Sequence, residues 1–390
     1  MNNRLLWVGF FLGAWGMGAC SSAGSTDKDY GGGGSLGGED GGAGSGGSGI
    51  DVPDSGFLEV STEDTALETG GTKEPIPVDC TGCQGIGEGL ENLLCAIELC
   101  DPKMVLNSEY HSPTATKPQK IASSRSAVAR FGAPNNGLAP LVNDSYALMA
   151  TGPAKGTDHN VTLGDFGLTT PDGASVPDPF APPQDTINLT YDVMEWKLRL
   201  KAPAEAHGFR INYVFFSEEY DEYIGREFND KFYIFLEAAS TNGGARTVIN
   251  FTECRDPNSY HDFTCSAAQA ANDLCHEGDR FCYVAINTAL SDCCWYQGCP
   301  NKTKPNTDIS GTGFSCGTEQ VDGLGDGSMG HTYGSSTGWL KTEWPIEPNE
   351  EFTLIFHIHD TADSLFDSEV ILDGFTFLTQ VDKGTAPVVK

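Results

Sequence analysis

A chain of 390 residues with a formal net charge of −31 is too acidic to hold a nucleic acid, whose phosphates require a basic face. The same charge excludes electrostatic adhesion to anionic lipid. Hydrophobic residues at 39%, including 21 Phe and 12 Tyr, are ample for one sizeable core.

The N-terminus carries Arg4 as a positive n-region, Leu5 to Trp15 as an apolar h-region and Gly18-Ala19 as a small-residue cleavage site. Cys20 follows directly. This arrangement resembles the bacterial lipobox, in which the thiol is diacylated and becomes the first residue of the mature protein; Met17 stands where Leu is usual. The other readings are an ordinary secretory signal that contains a Cys, or a short membrane anchor. The apolar run is shorter than the roughly 18 residues of a spanning helix. Residues 1–19 are therefore expected to be a lipoprotein signal peptide, with the membrane held through acyl chains on Cys20. Lipidation also accounts for an odd count, since 13 cysteines less Cys20 leave an even set between Cys80 and Cys316. Ser21 is not the Asp that retains many such proteins at the inner membrane, so the outer membrane or cell surface is the expected destination. The sequence stops at Lys390 without a C-terminal sorting segment, and the lipid is the expected anchor.

Residues 20–78 combine that cysteine with a Gly-, Ser- and acid-rich stretch, including Gly31 to Gly34 and Gly41 to Ser45. No apolar period offsets the ordering entropy, so disorder is expected. A Gly-rich coil of this length reaches roughly 40–45 Å and suits a tether.

The folded part is expected over 79–390. Leu90, Leu93, Leu94 and Ile97 follow the period of one helix face. Cys80, Cys83, Cys95 and Cys100 surround that helix, and in an exported chain their spacing favours two disulfides over a zinc site. Strands are predicted at Met104–Tyr110, Val161–Leu168, Trp196–Leu200, Phe209–Phe216, Lys231–Leu236, Thr247–Phe251, Phe281–Ile286, Phe352–Ile358 and Val370–Leu378. Short, aromatic and β-branched, they predict an all-β fold, an antiparallel, jelly-roll-like β-sandwich with a short N-terminal helix. Cys254, Cys265, Cys275, Cys282, Cys293, Cys294, Cys299 and Cys316 crowd a strand-poor segment, about 252–316. It reads as a disulfide-rich insertion without a core of its own, with zinc as the alternative.

Two segments share one design, a strand, an acidic loop and a second strand. The first is Val214 to Leu236, with Ser217-Glu218-Glu219-Tyr220 in its loop and Phe228-Asn229-Asp230 opening the next strand. The second is Phe356 to Phe375, with Asp360, Asp363 and Asp367 ahead of Ser368-Glu369-Val370. Both resemble the choice-of-anchor L family of bacterial surface proteins, with Asp221 where that family usually has Pro. Ser310 to Phe314, Gly334 to Trp339 and the helical Leu90–Cys100 segment are similar too. The resemblance spans roughly Cys80 to Phe377 and is least typical in the cysteine-rich segment. It implies an adhesin-like surface domain with a variable anchoring device.

Glu218, Glu219, Asn229, Asp230, Asp360, Asp363 and Asp367 supply the oxygen ligands that calcium takes. If both loops leave one end of the sandwich, these residues can surround one structural calcium ion; otherwise they terminate strands and cap turns. His357 and His359 share a strand face and are weaker candidates for zinc than for packing. Gly325 to Gly330 fits G-x-G-x-x-G but neither follows a strand nor opens a helix. No Ser nucleophile elbow or H-E-x-x-H is present. The expected function is a non-catalytic, lipid-anchored binding or adhesion module for an extracellular glycan or surface protein, with Tyr220, Tyr223, Trp295 and Tyr296 as candidate contacts. The alternatives are a hydrolase of extracellular polysaccharide using Glu218 and Glu219, and a purely structural envelope lipoprotein.

Overall fold

The computed structural model describes residues 73–113, 118–154, 175–181, 188–218, 228–253, 263–264, 267, 278–285, 309–312, 314, 334–362, 367–381 and 388–389. They fall within one compact unit, Glu68–Lys390. Cys20, the tether up to residue 72 and the expected strand Val161–Leu168 lie outside the described residues.

The apolar period over Leu90–Ile97 yields helix α1, Leu90–Ala96. Ile97 closes it, and Glu98 follows at φ 64, the left-handed turn that ends many helices. Cys80 pairs with Cys100 and Cys83 with Cys95, at Cα separations of 5.5 and 5.6 Å. All four thiols of this group are thus consumed in disulfides, as the spacing predicts. Cys83→Ser/Cys95→Ser is expected to cost about 2–3 kcal/mol through the freed loop. A urea unfolding midpoint equal to wild type would contradict that. A second helix, α2 (Pro118–Ser123), begins on Pro, which suits a first helical position.

The early strands are β1 (Val105–His111), β2 (Arg125–Val128), β3 (Tyr146–Ala150), β4 (Val176–Pro177), β5 (Leu189–Lys201) and β6 (Gly208–Ser217). The middle strands are β7 (Lys231–Glu237), β8 (Thr247–Val248), β9 (Phe251–Glu253), β10 (Phe263–Thr264) and β11 (Arg280–Ala285). The last are β12 (Ser335–Ser336), β13 (Leu340–Pro345), β14 (Glu351–Thr361), β15 (Ser368–Leu378) and β16 (Val388–Val389). One sheet runs β1-β5-β14-β7-β11-β10, with β4 beside β5, β8 beside β7 and β9 beside β11. The other runs β16-β13-β6-β15-β3-β2, with β12 beside β6. Every pairing is antiparallel. The long strands change sheet at each step from β5 to β7 and from β13 to β15, which is jelly-roll-like. The predicted all-β sandwich with a short N-terminal helix is the observed architecture.

Between the sheets lie Trp196, Leu198, Phe352 and Phe356 from one side, with Phe209, Tyr213, Phe215, Leu372 and Phe377 from the other. Phe209 stacks on Phe352 and Phe375 with ring centroids 5.7 and 5.5 Å away. The second sheet is buried on its outer face as well. There Tyr146, Leu148, Val214, Phe216 and Ile371 meet Phe131, Leu138, Ile309 and Phe314. Side chains on a strand alternate between faces, so a strand covered on both sides reads as a continuous apolar run. That is why Tyr213-Val-Phe-Phe216 shows no polar alternation.

Two details depart from the expected elements. The segment Thr247–Phe251 is two strands, because Asn250 interrupts it. The Asn250 Nδ2 donates to the Phe232 carbonyl at 2.8 Å and its Oδ1 accepts the Ile234 N–H at 2.7 Å. A side-chain amide thus stands in for a strand backbone, and β9 turns away to β11. The region about 252–316 also feeds the core: Phe281 and Val284 join the inter-sheet layer, and Ile309 and Phe314 the outer one. Cys282 is disulfide-bonded. Cys254, Cys265, Cys275, Cys293, Cys294, Cys299 and Cys316 lie outside the described residues.

Candidate cation site

Four strand ends meet at one end of the sandwich. Glu218 follows β6, Asn229-Asp230 precede β7, Asp360-Thr361 close β14, and Asp367 precedes β15. Register brings them together: His359 pairs with Lys231 across β14 and β7, and Ser368 with Ser217 across β15 and β6. The two acidic loops of the sequence therefore do leave the same end.

Asp230 is the tie at this junction. One of its oxygens accepts the Thr361 N–H at 2.9 Å and the other accepts the Ser368 hydroxyl at 2.7 Å. The Thr361 hydroxyl donates to the Asn229 carbonyl at 2.9 Å. β7, β14 and β15 are thus joined through side chains where their ladders stop.

Asp360 is fully buried and Asp367 is 3% exposed, and neither oxygen of either carboxyl has a hydrogen-bond partner. The Thr151 hydroxyl lies beside Asp360 but donates to the Ser368 carbonyl at 3.3 Å. One oxygen of Glu218, also 3% exposed, is likewise without a partner. Burial pushes Asp360 well above the usual carboxylate range, and the charges of Asp230, Asp367 and Asp192 push it further. Asp367 rises for the same reason, with Glu218, Asp192, Asp230 and Glu369 around it. Glu218 rises through burial and the charges of Glu369 and Asp230.

Of the seven oxygen donors expected from sequence, Glu218, Asn229, Asp230, Asp360 and Asp367 converge here. Glu219 and Asp363 lie outside the described residues, as do Tyr220, Tyr223, Trp295, Tyr296 and the Gly325 to Gly330 motif. Asp192 and Glu369 join the cluster without having been expected. A β-bulge delivers Asp192: between Ile358 and Asp360 the register of β14 on β5 slips, and Asp192 sits at φ 43. Bulges re-aim side chains in this way. An acid between Tyr191 and Val193, ahead of the regular alternation of Met194 to Lys201, is the trace it leaves in the sequence. Among the described residues no three His, Cys, Asp or Glu side chains are closed up into a ready metal cage.

The two histidines serve a different network on the outer face of the first sheet. His357 Nδ1 lies 2.9 Å from Glu195, and its Nε2 lies 2.9 Å from His359 Nδ1. His111 and Arg246 also reach Glu195, at 3.1 and 3.4 Å. His359 Nε2 stands 3.9 Å from Asp178, which accepts the Tyr233 hydroxyl at 2.9 Å and pairs with Lys231 at 3.6 Å. His357 is engaged at both ring nitrogens, whereas His359 Nε2 is buried without a hydrogen-bond partner and burial holds that imidazole well below its ordinary range, in the neutral form, which is packing chemistry.

Residues 198–378 match the family model described as Choice-of-anchor L domain. The match begins within β5 and ends with β15, so it takes in all four strand ends of the acidic junction and leaves α1 outside. Surface association is what this match conveys for the chain. No curated protein and no solved structure matches. Among the described residues no helix is long and apolar enough to cross a membrane, which says nothing of β-barrels.

Proposed function

We propose that this protein is a lipid-tethered, non-catalytic binding module displayed at the outer membrane or cell surface. The observation that carries this reading is where the acids are. A hydrolase needs acidic groups that converge in a cleft a polymer can enter. Glu218 instead lies buried among strand ends at 3% exposure. The described surface offers a shallow hollow of about 720 Å³ beside the stapled helix, lined by Val78, Gln84, Ile86, Asn143 and Ser145. Ile86 is 62% exposed, and Leu141, two residues before Asn143, is 50% exposed. Ile86, held in the hollow beside two disulfides, offers a preorganised apolar contact for a glycan or surface protein.

A binding screen against extracellular glycans and surface proteins tests this. Ile86→Asp and Leu141→Asp are expected to weaken the strongest interaction about tenfold or more without lowering the melting temperature, since both side chains are already in water. Turnover of any screened polysaccharide would overturn the non-catalytic reading. Cys20→Ser is expected to abolish acyl labelling in cells, and persistent labelling would refute the anchor.

A further inference from the structure

We propose that the junction of β6, β7, β14 and β15 binds a calcium ion through Asp360, Asp367 and Glu218, with Asp192 and Glu369 adding negative charge and Asp230 tying the strands. Buried carboxylates are tolerated when they are paired, hydrogen-bonded or metal-bound. Asp360 and Asp367 are buried with no hydrogen bond to either oxygen. The charges that bear on these two and on Glu218 are all negative. No basic side chain is among the groups that bear on these three carboxyls, and a divalent cation would offset their charge.

The backbone makes room for this arrangement. A Cβ on Gly152 would lie 1.9 Å from Asp367 Oδ2, so the carboxylate occupies the space a side chain would take. Asp192 enters from a bulged, left-handed position that a regular strand would not give. The donors are all oxygens, which selects a hard cation over zinc. Magnesium keeps most of its waters and takes about one or two carboxylates, whereas calcium accepts roughly six to eight protein oxygens in flexible geometry. A set of carboxylates drawn from separate strands fits calcium.

The full chain, stripped with EDTA, is titrated in parallel with calcium and magnesium while thermal unfolding is followed. Calcium is expected to raise the melting temperature by about 5 °C at ~100-fold excess over its Kd. Asp360→Asn and Asp367→Asn are expected to lose that rise, yet to melt no lower than wild type in EDTA, because each takes out of a crowded buried cluster one acid whose carboxyl oxygens have no hydrogen-bond partner. Glu98→Gln, a buried acid elsewhere, is expected to keep it. The proposal is overturned if wild type shows no rise, if both Asn variants keep it, if Glu98→Gln loses it, or if magnesium gives an equal shift. Should both Asn variants fail to fold, calorimetry on wild type decides: one saturable calcium site per chain supports the proposal, and no saturable heat overturns it.

Discussion

Asp178→Ala is expected to lose about 3–5 kcal/mol of stability, the range for breaking a buried ion pair from one side. Asp178 follows β4 and is buried against the outer face of the first sheet. Its carboxylate faces Lys231, which is fully buried, at 3.6 Å and accepts the Tyr233 hydroxyl at 2.9 Å. Its other oxygen accepts the Phe180 N–H at 2.8 Å, holding that ring 5.0 Å from Phe235. Removing the carboxylate takes an anionic partner from the buried Lys231 ammonium and an acceptor from the Tyr233 hydroxyl, and frees the turn that covers them. Asp178→Asn keeps one acceptor oxygen, for the turn N–H or for the Tyr233 hydroxyl but not for both, and should cost less than Asp178→Ala. Denaturant midpoints on Asp178→Ala, Lys231→Met and the double variant check this. The double variant should recover a large part of the loss, and strictly additive effects would rule out the pair.

The second large effect is a pH dependence centred on Glu98 and Asp373. Glu98 accepts the Gly374 N–H at 2.9 Å and the Asn143 amide at 2.8 Å, which bind α1 to β15. Burial, helped by the charge of Asp373, pushes Glu98 up to about 8, against those two hydrogen bonds. Burial likewise pushes Asp373 up to about 7. In the unfolded chain both acids lose their protons near pH 4. Between that value and about 7–8 the native state holds protons that the unfolded state has released, so stability falls as pH rises through the window. In EDTA, Glu98→Gln should remove part of that slope. It should match wild type near about pH 5 and exceed it by on the order of 2–4 kcal/mol near about pH 9. Melting curves of the two proteins that stay parallel across that range would sink the assignment.

The acidic junction was half legible in the sequence. Glu218, Asn229, Asp230, Asp360 and Asp367 stand out because each lies at the end of an aromatic strand, where turn residues and ligands share one composition. Their convergence required only that two similar strand-loop-strand segments point the same way. Asp192 and Glu369 were not legible as partners, since one depends on a bulge between β5 and β14 and the other on β15 lying between β3 and β6. Pairings between strands more than a hundred residues apart leave no local mark. The same holds for β3. Tyr146-Ala-Leu-Met-Ala150 lacks alternation because both its faces are buried, and Ala and Met are weak strand formers. β13 is the opposite case. Leu340, Thr342 and Trp344 alternate cleanly with Lys341 and Glu343, and only the Gly- and Ser-rich approach and Pro345 disguise it.

β14 lies between β5 and β7 in one sheet, and β15 lies between β6 and β3 in the other. The last two long strands are thus the central planks of both sheets. A chain made from its N-terminus has two sheets each missing its middle until residues 351–378 appear, and the pairs that complete them close loops of over a hundred residues. Such non-local closure makes folding slow. Nascent or truncated chains that lack residues 351–378 cannot close either sheet, so they remain threadable and exposed to proteases until those residues have been made.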